Sequence, residues 1–515
     1  MGVSDFLTII VLAIAVWSII AQNQRKFVLL FFPTWSWWVL AISLFAILYL
    51  MSFDWILKTW EWSCLEMFTF EIGIPASVWA FIIALVIILI TILNISFGYF
   101  AESKLDNLIS LYKSLIKEND IDLLASYINK YHIEDISTYM KGVGRLPDYG
   151  VLDHLSGEES EYDKARKKLT KPKRIKFAAN VYGYIIQNEI FIKNAASKYP
   201  ELFATVFKAM ETEKAANEDL AKTFIGCLFD NNNVSFFQEL KTANNNDASI
   251  ESQIEYAQLP ILSGLLLNTK VAAQNNVWYP VGEGMIKSIK YDVSQIDFLA
   301  REYDSDLESE LWDYKIWNGL IFFKYMVRET IYRTSGNHMW LYYFRYTVDL
   351  LIENIPAEEN YNQEKEYPSF AHYVIHKHFE IMFDWIELAK NQNTSNQVID
   401  TVKCLGWCIE SLCEAPEAKI SPEFKITILD NIVYKYCNYA FSQDNVACTT
   451  AREWLKKMFA NPKYIDMGAG HASDQYLIVL TEVWSKFDRV KFTDNESVLT
   501  EFEEEILLPH GIVFE

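Results

Sequence analysis

The residues best suited to bind an anion form one run of cations, KARKKLTKPKRIK, at positions 164–176. A compact positive cluster attracts polyanions such as nucleic acid. The run stands out because the whole chain has a formal net charge of −21. We therefore nominate it as the main ligand-binding site, with these residues: Lys164, Arg166, Lys167, Lys168, Lys171, Lys173, Arg174 and Lys176.

Three interpretations of this run stay open. It binds a nucleotide or single-stranded nucleic acid, or it binds anionic lipid head groups, where each nearby cation contributes about 1 kcal/mol. In the third interpretation, the run is a solvated loop that pairs with the acidic residues at 158–163 immediately before it.

A second candidate site combines cations with aromatic rings in the stretch IFFKYMVRETIYRTSGNHMWLYYFRYT, positions 321–347. Sites for single-stranded nucleic acid use such a mixture, because cations neutralise phosphates and rings stack on bases. The alternative is an aromatic core whose arginines reach solvent. The candidate ligand-binding residues here are Arg328, Arg333, His338, Trp340 and Arg345.

A polar stripe marks the last apolar segment of the N-terminal region. Thr91, Asn94 and Gly98 are spaced three and four residues apart, so a helix places them on one face. Polar groups in an apolar helix usually face protein or water. The stripe is then either the pore lining of an oligomer or a contact between helices.

Metal and catalytic signals are weak. His372, His376 and Glu380 follow at helical spacing, and two histidines one turn apart can share a metal. The sequence nominates no further ligand, so we expect a solvated helix face, no metal and no cofactor. The phosphate-loop, nucleophile-elbow, kinase and zinc-protease motifs are all missing. We therefore nominate no catalytic residue and do not expect an enzyme.

Three long segments without a charged residue precede these sites, at positions 6–24, 27–53 and 72–101. About 20 apolar residues of helix span the hydrocarbon core of a bilayer. We therefore predict a transmembrane region over residues 1–100, with helices near 5–23, 32–53 and 74–99.

The charges between these segments predict their orientation. Arg25 and Lys26 follow the first segment, whereas Asp54, Glu61, Glu66 and Glu71 follow the second with only Lys58 opposing them. Basic loops stay on the cytoplasmic side. We expect a multi-pass protein of the bacterial inner membrane with its N-terminus outside and the C-terminal region in the cytosol.

The remaining residues carry apolar side chains at helical spacing, as in SKLDNLISLYKSLIKEND. We find no βαβ pattern and predict a mainly α protein. Hydrophobic residues make up 51% of the chain, which excludes a disordered protein. We expect a helical cytosolic domain over 101–250 that includes the basic run, and one or more further helical domains over 251–515.

This layout, a hydrophobic block at 1–100 followed by a helical block with a basic run at 164–176, resembles bacterial abortive-infection membrane effectors of the Hailong type. The resemblance implies a soluble region that senses a nucleotide or oligonucleotide and a membrane region that disrupts or depolarises the membrane. It also implies a partner nucleotidyltransferase that makes the ligand.

Together these observations predict an oligomeric membrane effector or ion channel of an antiviral defence system. Its expected partners are the lipid bilayer, further copies of the chain, and a single-stranded nucleic acid or nucleotide. The alternative is a membrane-tethered, protein-binding scaffold without a pore. A third hypothesis is a membrane enzyme that uses His372 to Glu380.

Overall fold

The computed structural model describes most of the chain in eleven segments. These are residues 22–30, 34–60, 76–97, 104–143, 172–246, 259–333, 341–356, 365–439, 446–463, 472–489 and 496–512, together with Ser18 and Ile465. The described residues are mainly helical, and their only β contact is one isolated bridge between Glu302 and Ser369. The predicted α class is confirmed.

The chain divides into two compact units. Unit 1 comprises Met1–Ile136 and Arg166–Phe191, and unit 2 comprises Ser137–Ala165 and Ile192–Glu515. The helices that begin in unit 1 are α1 Gln22–Leu30, α2 Thr34–Trp60, α3 Ala76–Phe97, α4 Leu105–Lys117, α5 Ile121–Tyr131, α6 Ile133–Val143, α7 Pro172–Val181 and, after a π-helical turn at Tyr182–Ile186, α8 Glu189–Ala195.

Helices α2 and α3 pack against each other as a hairpin. Its small core consists of Ile47 and Ala80, with the partly buried Leu50, Ile83 and Ile87 around them. Helix α2 runs to Trp60, seven residues beyond the predicted end at 53. Within the described part of the chain, no helix combines the length and the apolar character needed to cross a membrane. The transmembrane region stays a prediction.

Elsewhere in unit 1, aromatic rings form contacts between helices α1 and α5. The Phe27 ring of α1 stacks on the Tyr127 ring of α5 with the centroids 3.7 Å apart. The hydroxyl of Tyr112 lies 2.8 Å from Nε2 of His132. Burial lowers the pKa of His132 to about 3, so this ring is neutral at physiological pH.

Unit 2 contains a long series of short and medium helices. They are α9 Pro200–Lys208, α10 Glu218–Asp230, α11 Val234–Asn246, α12 Pro260–Leu266, α13 Thr269–Gln274, α14 Trp278–Tyr291, α15 Val293–Leu299, α16 Lys315–Tyr332, α17 Tyr342–Asn354, α18 Phe370–Asn391, α19 Ser395–Glu414, α20 Pro422–Tyr439, α21 Val446–Ala460, α22 Asp474–Lys486 and α23 Glu496–Phe502.

Side chains of asparagine and aspartate define where many of these helices begin and end. Asn217 and Asp292 cap the first turns of α10 and α15 by accepting backbone N–H hydrogen bonds. Asn232, Asn276 and Asn393 adopt positive φ angles just after helices, a conformation that asparagine tolerates. Because these residues start or end helices directly, the connections between the helices concerned are short.

The centre of unit 2 is formed by its two longest helices, α18 and α19. Helix α19 packs against α17, α18, α21 and α22. Large rings such as Trp385, Trp484 and Tyr476 are almost fully buried. This packing buries one face of α19 in the core and leaves the other face, which carries Lys403 and Trp407, partly exposed.

Candidate functional site

Most of the predicted cation run lies outside the described residues, namely positions 164–171 and the side chain of Lys173. Arg174 is described, and its Nε lies 2.9 Å from Oδ2 of Asp135. This ion pair joins α7 to α6 within unit 1 and gives Arg174 a structural partner. Lys176 is exposed on α7. The run as a binding site stays a prediction.

The second predicted set is distributed over two helices. Arg328 lies on α16, Arg333 directly follows that helix, and Arg345 lies on α17, while His338 and Trp340 fall outside the described residues. The set therefore does not appear as one continuous site in the part of the chain that the structure describes.

The three described arginines have different surroundings. Arg328 lies over the Tyr325 ring at 6.0 Å. The Nε of Arg333 lies 3.6 Å from Oε2 of the fully buried Glu329. Arg345, in contrast, stacks on an indole that comes from α19. Arg345 is the residue that leads to the strongest candidate site.

Two partly buried indoles on unit 2 each have two cations within 6 Å of the ring centroid, the range of cation–π attraction. Arg345 and Lys463 lie 3.2 and 5.6 Å from the Trp407 centroid. The corresponding distances for Lys457 and Lys403 at Trp454 are 4.5 and 5.0 Å. We call this set the cation–indole surface: Arg345, Lys403, Trp407, Trp454, Lys457 and Lys463.

Helix α19 is the element that assembles the surface. Lys403 and Trp407 are one helical turn apart and therefore lie on the same face. The opposite face, with Leu405, Cys408 and Leu412, is buried in the core. Because α17 and α21 both pack against α19, they bring their own cations and Trp454 alongside it.

Gly406 allows the last cation to reach the surface. A Cβ added at Gly406 would lie closer than 3.0 Å to the carbonyl oxygen of Pro462. Only glycine therefore lets the chain after α21 cross α19 at this distance, and that chain carries Lys463. A larger residue at 406 would displace the segment and its ammonium group.

Two cations of the surface have carboxylate partners. Arg345 has Asp349 at 3.8 Å, and Lys463 has Glu414 at 3.7 Å. Because exposed ion pairs contribute only about 0.2–1 kcal/mol, a phosphate can compete with these carboxylates for the two cations.

The sequence contains a local signal for this surface that our prediction did not use. Lys403 and Trp407 are spaced i, i+4, and Trp454 and Lys457 are spaced i, i+3. Each pair places a cation and an indole on the same helix face. The meeting of the two pairs depends on helix packing, which the sequence does not show directly.

The histidines of α18 have mainly structural surroundings. Nδ1 of His372 lies 2.8 Å from the Ser369 hydroxyl, and its Nε2 lies 3.1 Å from the Lys419 carbonyl oxygen. His378 is also buried, with Nδ1 2.8 Å from the carbonyl oxygen of Val374. Burial lowers the pKa of each of these two histidines to about 4.

His376 lies apart from the two buried histidines. Its side chain is partly exposed, and Nδ1 lies 4.0 Å from Oε2 of Glu380. Among the described residues, no group of three or more His, Cys, Asp or Glu side chains is arranged to hold a metal ion. The solvated face predicted for His372, His376 and Glu380 is wrong at His372, because that ring packs in the core.

The described cysteines are free thiols and most of them are buried. Burial raises the pKa of Cys413 and of Cys437 to about 12. These thiols therefore stay protonated and pack as small apolar side chains.

The predicted pore lining lies outside what the structure describes. The side chains of Thr91 and Asn94 and all of Gly98 belong to that part. Comparison with known proteins identifies no relative: no family model, no curated protein and no solved structure matches the chain.

Proposed function

We propose that this protein is a membrane-associated effector whose unit 2 binds a single-stranded oligonucleotide or nucleotide. The observation that carries the proposal is the cation–indole surface on α19. The exposed apolar hairpin of unit 1 supports the membrane part.

The hairpin leaves large apolar side chains uncovered. Trp38, Ile42 and Phe45 of α2 are 70%, 67% and 74% exposed, and Leu85 and Ile88 of α3 are about half exposed. Contiguous apolar surface of this kind marks a site that lipid or another protein covers. We assign lipid, in agreement with the predicted inner-membrane location with the N-terminus outside.

The cation–indole surface suits a strand of nucleic acid. Cations neutralise successive phosphates, and aromatic rings stack on bases with about 1–3 kcal/mol for each base. The guanidinium carbon of Arg345 lies over the Trp407 ring, 3.2 Å from its centroid, and this contact restricts the orientation of the guanidinium. An oriented guanidinium can donate two parallel hydrogen bonds to one phosphate.

The effector activity requires that ligand binding by unit 2 changes the state of the membrane region. In this proposal several copies assemble, and Thr91, Asn94 and Gly98 line the pore. The ligand, made by a nucleotidyltransferase, shifts the balance between closed and open assemblies because it binds one of them more tightly. The outcome is disruption or depolarisation of the membrane.

Fluorescence anisotropy with a labelled oligothymidylate of about twelve nucleotides tests the ligand part. We expect saturable binding by the full chain in detergent. Replacing Trp407 and Trp454 with leucine should weaken it by about tenfold to a hundredfold, and phenylalanine at both positions should restore most of the affinity. Equal affinity in the leucine variant would refute the assignment.

A control variant separates this site from general electrostatics. Lys287 and Lys290 are exposed on α14, outside the cation–indole surface. Changing both to alanine removes two positive charges from unit 2, as does the Lys403→Ala and Lys457→Ala pair. Only the second pair should weaken binding markedly.

The scaffold function is the second candidate, and an acidic cleft favours it. This cleft of about 500 Å³ is lined by Glu366, Glu417 and Glu423 together with Tyr367 and Phe424. Acidic and aromatic side chains together suit a basic peptide. If the protein is a scaffold without a pore, changing both Thr91 and Asn94 to leucine leaves its activity unchanged. A pore would lose conductance.

A further inference from the structure

A second concave site lies in unit 2, in a cleft of about 410 Å³ formed by α9, α12, α13 and the end of α16. Three cations line it: Lys208, Lys270 and Arg333. Phe207 and Leu267 supply apolar lining. The volume is within the range of sites for small ligands.

The charge of this cleft is positive. Its one acidic residue is Glu211, whose carboxylate lies 3.8 Å from Nζ of Lys141. Lys208 and Lys270 are exposed at the rim, so their ammonium groups can move to meet a ligand. With three cations and one acid, the lining has a net charge of 3 − 1 = +2.

Arg333 differs from the two lysines because it is partly buried beside a carboxylate. The buried carboxylate of Glu329, one turn earlier on α16, lies 3.6 Å from its Nε. A partly buried guanidinium combined with two exposed ammonium groups suits a ligand with more than one phosphate, since each cation type meets a different oxygen.

The walls of the cleft are fixed. The Asn268 side chain donates to the Glu211 carbonyl oxygen at 2.9 Å and accepts from the Val271 amide at 3.4 Å, which links the end of α9 to the start of α13. A Cβ at Gly264 would lie closer than 3.0 Å to the Ala204 carbonyl oxygen. Close packing of α12 on α9 therefore requires glycine, and a rigid site loses little entropy on binding.

We propose that this cleft binds a small ligand that carries a diphosphate group, separately from the cation–indole surface. The cations meet the phosphate oxygens, and the apolar lining accepts any ring attached to them. The shared chemistry is the diphosphate; inorganic pyrophosphate and a nucleoside diphosphate are its two sources.

Titration calorimetry on the full chain in detergent tests this site with three probes: pyrophosphate, ADP and adenosine. We expect binding of at least one diphosphate probe and none of adenosine. If ADP binds more tightly than pyrophosphate, the adenosine part of ADP contacts the apolar lining. If the two bind equally, the cleft recognises only the diphosphate group. No binding of either diphosphate at roughly 1 mM would overturn the proposal.

Two variants locate the site. Changing both Lys208 and Lys270 to alanine should weaken diphosphate binding by about tenfold. Because both lysines are exposed, the variant should keep its fold. Changing both Lys287 and Lys290 to alanine removes the same charge from α14 and should leave the affinity unchanged. Equal weakening in the two variants would show a nonspecific charge effect and reject the cleft.

Arg333→Lys is the third variant. It keeps a positive charge beside Glu329 but removes the planar fork, so diphosphate binding should weaken while the melting temperature stays close to that of the parent protein. Full affinity in this variant would contradict the role assigned to the guanidinium. Oligothymidylate binding in the same variant should be unaffected, which keeps this site distinct from the cation–indole surface.

Discussion

Unit 2 and the α2–α3 hairpin of unit 1 use large apolar residues in opposite ways. In unit 2, Trp385 and Trp484 lie inside the helical packing and are almost completely buried. In the hairpin, Trp38 and Phe45 lie on the outside, and only a narrow seam around Ile47 is buried. Unit 2 therefore builds its own core, whereas we attribute the hairpin's exposed residues to contact with lipid.

The largest expected effect is on the free energy of unfolding, which a substitution in unit 2 should lower much more than one in the hairpin. Trp385→Ala removes a buried indole whose Nε1 donates to the Lys324 carbonyl oxygen at 3.2 Å. We expect a loss of about 3–5 kcal/mol in the free energy of unfolding, measured with denaturant in detergent. Phe45→Ala should cost less than about 0.5 kcal/mol. A comparable loss at Phe45 would mean that the hairpin is an ordinary protein core.

The next effect concerns membrane affinity. Ile42, Phe45 and Leu48 of α2 are exposed and apolar. Changing all three to serine should reduce the partition into liposomes, measured by flotation, by about a hundredfold, or about 2.7 kcal/mol. The reason is the loss of three apolar side chains from the lipid contact.

Exposed apolar residues of unit 2 provide the matched control for that experiment. Val234, Val293 and Ile478 are also exposed, but they lie on separate helices. Serine at all three should leave flotation unchanged. If this control releases the protein as strongly as the hairpin variant, unit 2 contacts the bilayer and the comparison fails.

Acid should destabilise both units, and each titrating histidine accounts for a smaller free-energy change per pH unit than the two preceding variants. The buried His132, His372 and His378 have pKa values of about 3, 4 and 4 in the folded protein, against about 6.5 in an unfolded chain. Between these values the unfolded state binds more protons, so stability falls as the pH decreases from about 6.5 to 4. Each histidine contributes about 1.4 kcal/mol for each pH unit.

Two variants check the sign of this dependence. His378→Leu should make the fall in unfolding free energy between pH 6.5 and 5 less steep. Glu239 has the opposite effect, because burial raises its pKa to about 7 and the folded state then binds the additional proton. Glu239→Gln should therefore make the fall steeper. Identical slopes in both variants and the parent would contradict the assignment to these groups.

Local patterns predicted the helices well, because apolar spacing and capping residues act within a few positions of one another. Helices Thr34–Trp60 and Ala76–Phe97 lie where two of the charge-free segments predicted them. The same patterns could not show that Arg345 stacks on Trp407, since these residues are 62 positions apart and meet only when α17 packs against α19. They also placed His372 on a solvated face, because helical spacing does not show which face the neighbouring helices cover.

Ion flux across proteoliposomes that contain the full chain tests the central claim most directly. We expect single-stranded oligothymidylate to change the flux through the parent protein. We expect no change for the variant with leucine at Trp407 and Trp454 and alanine at Lys403. Two results would contradict the proposed function. One is the absence of ion flux with and without the oligonucleotide, and the other is an equal response of the flux in both proteins.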